Sequence, residues 1–463
     1  MQLSKNAQAK RSSFSKSWIK YAESLDIEII QARDEGRDLP PDIEQRAAAV
    51  MAVEDEEERE YAAQKFYRFV AGLPYRKDYP YVEPDEYEEI LAQRNGEIFD
   101  LPAVEPQQRF DKVYGALLAR CAGCFLGQPV EGWHSRKIID FMKDTGNFPL
   151  NHYFRSDIAP QLRAKYGVTE DGYIHQRPQV NWGNNIDCAP EDDDTDWTIL
   201  TLKLLEEIGT SFTPEDAGIN WLNHFPMFHA AVSERYGYRN LANAKPAHLC
   251  GRYCNPYRET LGARIRADVF GYAAPGNPEK AASMAYREAT LTNAKNGLYG
   301  AMFTAAMLAC AAVCSDMKTI IACGLAQIPA HSRLYEAITQ VITWYDQGKT
   351  IEEAQALIHQ RFDEDNYRDW VHVVSNDMIV VMALLWGECN FEKSIGYAVM
   401  MGHDTDCNCA TIGSVIGMIL GANALPAKWL AGVNNHLYTC VATFDDKVAV
   451  DSLARRVMTV QEM

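Results

Sequence analysis

Positive charge is in short supply in this chain: 45 Lys and Arg stand against 63 Asp and Glu, a formal net charge of −18. Such a surface repels nucleic-acid phosphates and anionic lipid, so no nucleic-acid or membrane partner is expected, and metal cations and polar small molecules remain as ligands. Long apolar runs are also missing. The stretch nearest to a membrane span, Gly297 to Cys314, runs 18 residues without a charge. It is short for a span, rich in Ala and Gly, lacks an aromatic belt, and reads as a buried core helix. The opening "MQLSKNAQAKRSSFSKSW" is basic and polar, with no apolar h-region and no small-residue cleavage site, so secretion by signal peptide is not indicated. The twelve cysteines are therefore expected as thiols in a reducing cytoplasm. No repeat of fixed period stands out, which argues against a solenoid.

What the chain does contain suits a globular protein of one large or two smaller domains: 463 residues, 47% hydrophobic and 23% charged. Residues 1–105 differ in texture from the rest. Helix-like stretches ("SFSKSWIKYAESLDIEIIQARDEG", "PDIEQRAAAVMAVEDEEEREYAAQKFYRFVAGL") give way to "LPYRKDYPYVEPDEY", too rich in proline to continue a helix. This part reads as an N-terminal helical extension packed on a main domain of residues 106–463. The acidic run Glu54 to Glu60 reads as a solvated helix face. From Phe110 onward, apolar residues recur at helical spacing in "DKVYGALLARCAGCFLG", "DWTILTLKLLEEIG", "PEKAASMAYREATL", "LYGAMFTAAMLACAAV", "TIEEAQALIHQRF", "DMIVVMALLWG" and "CATIGSVIGMILGA". Few segments alternate as strands do, and the expected fold class is all-α.

Two of these helices carry a stripe of small residues. Gly115, Ala119, Gly123 and Gly127 are spaced four apart, and Ala410, Gly413, Gly417 and Gly421 follow three-and-four spacing. Glycine inside a helix costs about 1 kcal/mol relative to alanine, and close backbone approach between central helices is the natural compensation.

The chemistry concentrates in two acidic clusters. "PEDDDTDWTIL" places Asp192, Asp193, Asp194 and Asp196 at the start of an apolar helix, and "GHDTDCNCATIG" places Asp404 and Asp406 at the start of the second striped helix. N-cap hydrogen bonds and the helix dipole offset about 1 kcal/mol each, less than the repulsion among five or six nearby carboxylates. Divalent Mg²⁺ or Mn²⁺ would resolve it. An EF-hand is excluded on spacing: counting Asp192 as position one, the sixth residue is Trp197 and the twelfth Lys203, where the loop needs Gly and Glu. A third segment, "GCFLGQPVEGW", ends the first striped helix at a turn in which Pro129 aims Glu131 outward.

Taken in order, "GCFLGQPVEGW", "EDDDTDWT" and "GHDTDCNCATIGSVIG" resemble the ADP-ribosylglycohydrolase family, and "GARIRADVFGYAAPGNPEKAASMAYREATLTNAKNGLYGAMFTAAMLA" and "SNDMIVVMALLWGECNFEKSIGYAVMMG" resemble its intervening segments. The resemblance covers roughly residues 110 to 425. It implies an orthogonal multi-helix bundle with one or two divalent ions, usually Mg²⁺ and sometimes Mn²⁺. It also implies hydrolysis of an ADP-ribosyl or related ribosyl-type glycosidic bond, in a small-molecule or protein-linked substrate, by a metal-held water. The implied metal ligands are Asp192, Asp193, Asp194, Asp404, Asp406 and, least suited, Cys407. The implied catalytic residues are Glu131 and Asp404. Four positions depart from the family pattern: Asp192 and Cys407 replace hydroxyl residues, Cys124 replaces an Asp, and Asn293 replaces a His. Sulfur is a poor match for Mg²⁺, and the departures suggest a divergent branch of bacterial type.

Asn181, Asn184, Asn185 and Asp187 lie just before the first acidic cluster and, with Trp133 and Asn293, are the expected substrate-side residues. Two other classes stay open: a glycosidase acting on a nucleoside or carbohydrate, with Trp133, Trp182 and Trp197 stacking on sugar, and a non-catalytic metal-binding relative, which Cys407 would favour. Cysteine pairs Cys121 and Cys124, Cys250 and Cys254, and Cys407 and Cys409 have spacings that allow zinc, but their apolar settings favour core packing. His403, beside Asp404 without other histidines at metal-binding spacing, reads as a core or supporting residue.

Overall fold

The computed structural model describes residues 18–170 and 181–462, with the backbone alone of two short strands, Tyr173–Ile174 and Arg177–Pro178, between them. The basic opening of the chain lies outside these residues. The expected all-α fold is what the chain adopts: 23 α-helices and two small antiparallel hairpins among the described residues, the second pairing His436–Tyr438 with Lys447–Ala449. All seven helical runs read from the sequence are helices. The first spans Pro106–Gly127 and the last Thr405–Leu420.

The two striped helices run antiparallel with their backbones nearly touching. A Cβ built on Gly123 would stand 2.1 Å from the Cys409 carbonyl oxygen, and one on Gly413 would stand 2.1 Å from that of Ala119. The same holds at Gly417, 2.3 Å from the Gly115 oxygen, so no side chain larger than hydrogen fits at these crossings. Dispersion contacts between the closely packed backbones offset the helix propensity that glycine gives up. Around this pair lie helices that are apolar on every side. Asn296–Ala311, which takes in most of the Gly297 to Cys314 run considered as a membrane span, is buried at each of its 16 residues. Val373–Gly387 is buried except at half-buried Trp386. An all-round apolar helix buried on every side belongs at the centre of a large core. No helix among the described residues is long and apolar enough to cross a membrane.

Residues 18–104 form helices Leu25–Asp34, Ile43–Met51, Glu56–Ala71 and Tyr87–Ala92. Leu25, Ile29, Ile43, Phe66, Tyr67 and Val70 make a small core of their own, closed by Cys254. The acidic run lies on a solvated face from Glu54 to Glu58, while Glu60 accepts the backbone N–H groups of Tyr21 and Ala22 at 2.6 and 3.1 Å. The segment is fastened to the rest by buried ion pairs. Arg258 reaches Glu28 at 2.6 Å and Glu35 at 2.7 Å, and Arg333 bridges Glu83 at 2.8 Å and Glu259 at 2.7 Å. Gln31 donates to Glu259 and Asn296 to Glu83, so these carboxylates are hydrogen-bonded as well as paired.

Candidate functional site

The backbone contact between the striped helices sets the site. Its last crossing places Gly127 against Thr405 and Asp406: a Cβ there would stand 2.3 Å from the Asp406 nitrogen, and the Thr405 hydroxyl donates to the Gly127 carbonyl at 3.0 Å. The first helix passes into a short 3₁₀ turn, Gln128–Val130, which delivers Glu131. The second helix starts at the same level with Asp404 and Asp406. A third helix, Asp193–Ile208, begins beside them, with Asp192 as its N-cap accepting the Asp194 N–H at 2.9 Å. Gln128 ties the two together by donating to Asp192 at 2.6 Å and to the Glu191 carbonyl at 3.0 Å.

One cavity of about 60 Å³ is consequently walled by Glu131, Asp193, Asp194, Asp404, Asp406 and Cys407. Asp192 stands behind it, its carboxylate within 4.8 Å of donor atoms of Asp194 and Cys124. The two acidic clusters, some 210 residues apart in sequence, do converge. Their charges are felt: burial first, then Glu131, pushes Asp404 up to about 7. Asp406 is raised well above the carboxylate range by burial, then by Glu131, Asp404, Asp192 and Asp194. Asp194 is raised by burial and by Asp192, with Arg120 pulling the other way.

Two buried guanidinium groups neutralise part of this charge. Arg120 lies 3.5 Å from Asp194, but it is also 3.0 Å from Asp268 and donates to the carbonyls of Asp194 and Ile265. Arg264 pairs with Asp377 at 3.0 Å and donates to Asn408 at 2.8 Å and to the Cys407 sulfur at 2.7 Å. Each Arg is thus shared with a further Asp outside the cavity, leaving the six carboxylates under-compensated. One oxygen of Asp194 and one of Asp406 are sealed from solvent without a hydrogen-bond donor. All-oxygen donors, excess negative charge and donor-free buried oxygens are the conditions under which a hard divalent cation fits. Cys407 is the exception: burial holds it as a thiol, and its sulfur is taken up by Arg264.

Val232, Tyr367 and Trp370 close the cavity, which as it stands has room for ions and a few waters. On the far side of Tyr367 and Trp370 a second hollow of about 240 Å³ opens, lined by Gly132, Trp133, His134, Glu364 and His403. His403 is buried there, parallel to His359 at 5.7 Å, and burial lowers it to about 4, so it is neutral.

The other residues expected at the substrate are differently placed. Trp133 borders the second hollow, edge-on to Phe141. Asn184 clasps Ser156 through both ends of its amide, at 2.8 and 2.9 Å, and Asn185 accepts the Trp182 N–H at 3.0 Å. Asp187 is an exposed partner of Lys447 at 2.6 Å. Asn293 is buried, donating to the Arg258 and Thr260 carbonyls and accepting from Thr292. None of these four lines the acidic cavity. Trp182 and Trp197 are fully buried core residues and present no face to a sugar. The sequence-adjacent cysteine pairs are buried, Cys407 against Arg264 and Cys124 beside the Asp192 and Asp194 carboxylates. Sequence reasoning passed over Arg120, Arg264 and Glu234, the last a cavity wall residue raised by burial to about 7 despite its ion pair with Arg266. Their signal was charge inside apolar helical runs, as in "GARIRADVF".

A family model described as ADP-ribosylglycohydrolase matches residues 105–462. Among solved structures the chain is similar to an "ADP-ribosylglycohydrolase-related protein complex", at 18% identity and a TM-score of 0.45, covering 77% of this chain and 99% of that one. No curated protein matches the chain.

Proposed function

The chain belongs to the ADP-ribosylglycohydrolase family, whose members are hydrolases of glycosyl bonds, and from that premise we propose that it cleaves a ribosyl-type glycosidic bond, ADP-ribosyl or a close relative, with the help of Mg²⁺ or Mn²⁺. The observation that carries this reading is the convergence of Glu131, Asp193, Asp194, Asp404 and Asp406 on one cavity. Asp192, Asp193, Asp194, Asp404 and Asp406 would hold the cation, with Cys407 left out because its sulfur faces Arg264. The Arg264 charge already serves that side of the cavity, which favours a single tightly held ion over a symmetric pair. When bound, such a cation supplies Lewis acidity toward sugar hydroxyls and lowers the pKa of a coordinated water.

The chain's own groups then have distinct tasks. Glu131, at the end of a helix and turn, would take a proton from an attacking water or face the positive charge that develops at the sugar C1. Asp404, raised to about 7 by burial and by Glu131 in the cation-free chain, would release its proton when the cation binds and serve as a charged ligand. Tyr367 and Trp370 separate this cavity from the larger hollow beside Trp133, so a nucleotide-sized substrate would occupy the hollow with its sugar displacing those two rings from the cavity mouth.

The test is hydrolysis of ADP-ribosylated protein, ADP-ribose conjugates and simple glycosides by the full chain in Mg²⁺, Mn²⁺ or EDTA. Cation-dependent release of ADP-ribose is expected. Turnover indifferent to EDTA would overturn the metal-dependent reading. A second reading, a cation-binding relative without turnover, draws on the Cys407 to Arg264 contact; it predicts Mg²⁺ binding with no hydrolysis of any of these substrates.

A further inference from the structure

The helix that carries Asp193 and Asp194 into the acidic cavity presents Asp196, one turn on, to a different neighbourhood. There Asp196, Glu191, His229 and Cys440 come together from three separate segments, each offering one donor atom, and no two of these atoms are more than 4.8 Å apart. They form two tight pairs. The His229 Nδ1 lies 3.0 Å from a Glu191 oxygen, without the alignment of a hydrogen bond between them, and the Cys440 sulfur lies 3.1 Å from Asp196 Oδ2. The other oxygen of Asp196 is held in place by the Thr439 hydroxyl at 2.6 Å and the Cys440 N–H at 3.2 Å, which orients the carboxylate toward the cluster. The ligands of a tetrahedral zinc ion, bound at about 2.0–2.3 Å, stand roughly 3.3–3.7 Å from one another. At 3.0 and 3.1 Å the two pairs lie slightly inside that spacing, and an ion that replaces the Cys440 thiol proton and draws one pair toward the other completes the set.

We propose that Glu191, Asp196, His229 and Cys440 form a second metal site, distinct from the acidic cavity, that binds a zinc-type transition-metal ion. Chemistry separates the two sites. One nitrogen, one sulfur and two carboxylate oxygens suit Zn²⁺ or Co²⁺, whereas Mg²⁺ avoids sulfur and needs more oxygens and waters than this set offers. Four protein donors fill a tetrahedron and leave no position for substrate, so the role is structural. His229 and Glu191 are partly exposed and give the ion its way in. The segments joined are the loop entering the Asp193–Ile208 helix, the 3₁₀ turn Met227–His229, and the chain following the strand His436–Tyr438. That strand already pairs with Ala189 through two backbone hydrogen bonds of 3.1 and 3.0 Å. An ion here would pin the first turn of the aspartate-bearing helix from the side facing away from the cavity.

The experiment uses the full chain, stripped with a chelator and titrated with Co²⁺ in excess Mg²⁺. The expected result is a saturable near-ultraviolet sulfur-to-cobalt charge-transfer band with strong tetrahedral visible bands, removed by Zn²⁺. Cys440→Ser should abolish the near-ultraviolet band, and His229→Ala should weaken Co²⁺ binding by roughly tenfold or more. Cys124→Ser should retain the band, because Cys124 is the thiol beside the other carboxylates. In the unaltered chain, Zn²⁺ but not Mg²⁺ should protect Cys440 from alkylation, a readout independent of how the variants fold. Absence of the band from the wild-type chain, its persistence in Cys440→Ser, or equal alkylation of Cys440 with and without Zn²⁺ would each overturn the proposal.

Discussion

The segment of residues 18–104 and the acidic cavity both bury carboxylates, and they do so in opposite ways. Where the segment meets the rest of the chain, Glu28 and Glu35 share Arg258, and Glu83 and Glu259 share Arg333, with side-chain amides filling remaining valences. In the cavity six carboxylates face two guanidinium groups that are already claimed by Asp268 and Asp377. The first arrangement is self-sufficient and serves as an adhesive between elements. The second leaves a charge for something outside the chain to neutralise, which is the condition for a functional centre.

The comparison breaks most visibly under mutation of the cavity. Asp406→Asn should lower kcat/KM for ADP-ribose release by about a thousandfold, from loss of electrostatic stabilisation. The same variant should melt higher than wild type in EDTA, because folding no longer has to bury a carboxyl that must first take up a proton; differential scanning calorimetry with and without Mg²⁺ checks both signs. Next in size, Arg258→Ala should cost about 3–5 kcal/mol in urea unfolding, since it strands Glu28 and Glu35 in the interior. Replacing Arg258, Glu28 and Glu35 together by apolar residues of similar volume should recover most of that loss, an outcome impossible if the ion pairs themselves were the source of stability.

A third test is pH. In the cation-free protein Asp404 titrates near 7, with Asp194 and Asp406 also raised. Folded carboxyls therefore hold protons that the unfolded chain releases at about pH 4, and stability contributed by them falls as pH rises from 4 toward 7. The loss is on the order of a few kcal/mol. Saturating Mg²⁺ should remove the share of this decline that Asp194, Asp404 and Asp406 contribute, because the ion favours their charged forms. At the other interface Glu259 is held below its usual range, chiefly by Arg333 and His372 working against burial, so its contribution is present above about pH 4.5 and is lost on acidification. The two contributions occupy separate windows: urea titrations from pH 4 to 7, with and without Mg²⁺, read the decline set by the cavity, and titrations below about pH 4.5 read the loss set by Glu259; a cation-free protein that grows more stable from pH 4 to 7 would remove the contrast. The smallest effect is expected at Asp187→Asn, which should leave KM unchanged, because Asp187 is occupied by Lys447 at the surface.

Much of the scaffold was legible because its signals are local. Helical periodicity located the main helices, and the four-residue glycine spacing announced a close helix crossing before any partner was known. The acidic segments stood out by composition, and their order along the chain carried the family resemblance. The asparagines were less legible for a physical reason. Polar side chains hydrogen-bond protein groups as readily as a ligand: Asn184 holds Ser156, Asn185 accepts the Trp182 N–H, and Asn293, far along the chain, donates to the Arg258 and Thr260 carbonyls. The paired cysteines were rightly read as buried residues, since closeness in sequence within an apolar helix says nothing about which donors face one another.

By itself the sequence determined the fold class, the two striped helices and the excess of carboxylate at two helix starts, all set by neighbouring residues and by the chain's own periodicity. Only the tertiary structure decided which charges share a cavity, that Arg264 takes the Cys407 sulfur, and that Glu191, Asp196, His229 and Cys440 meet. Those pairings join residues tens to hundreds of positions apart, and electrostatic and coordinate bonds depend on distances of a few ångströms that exist only once the helices have packed.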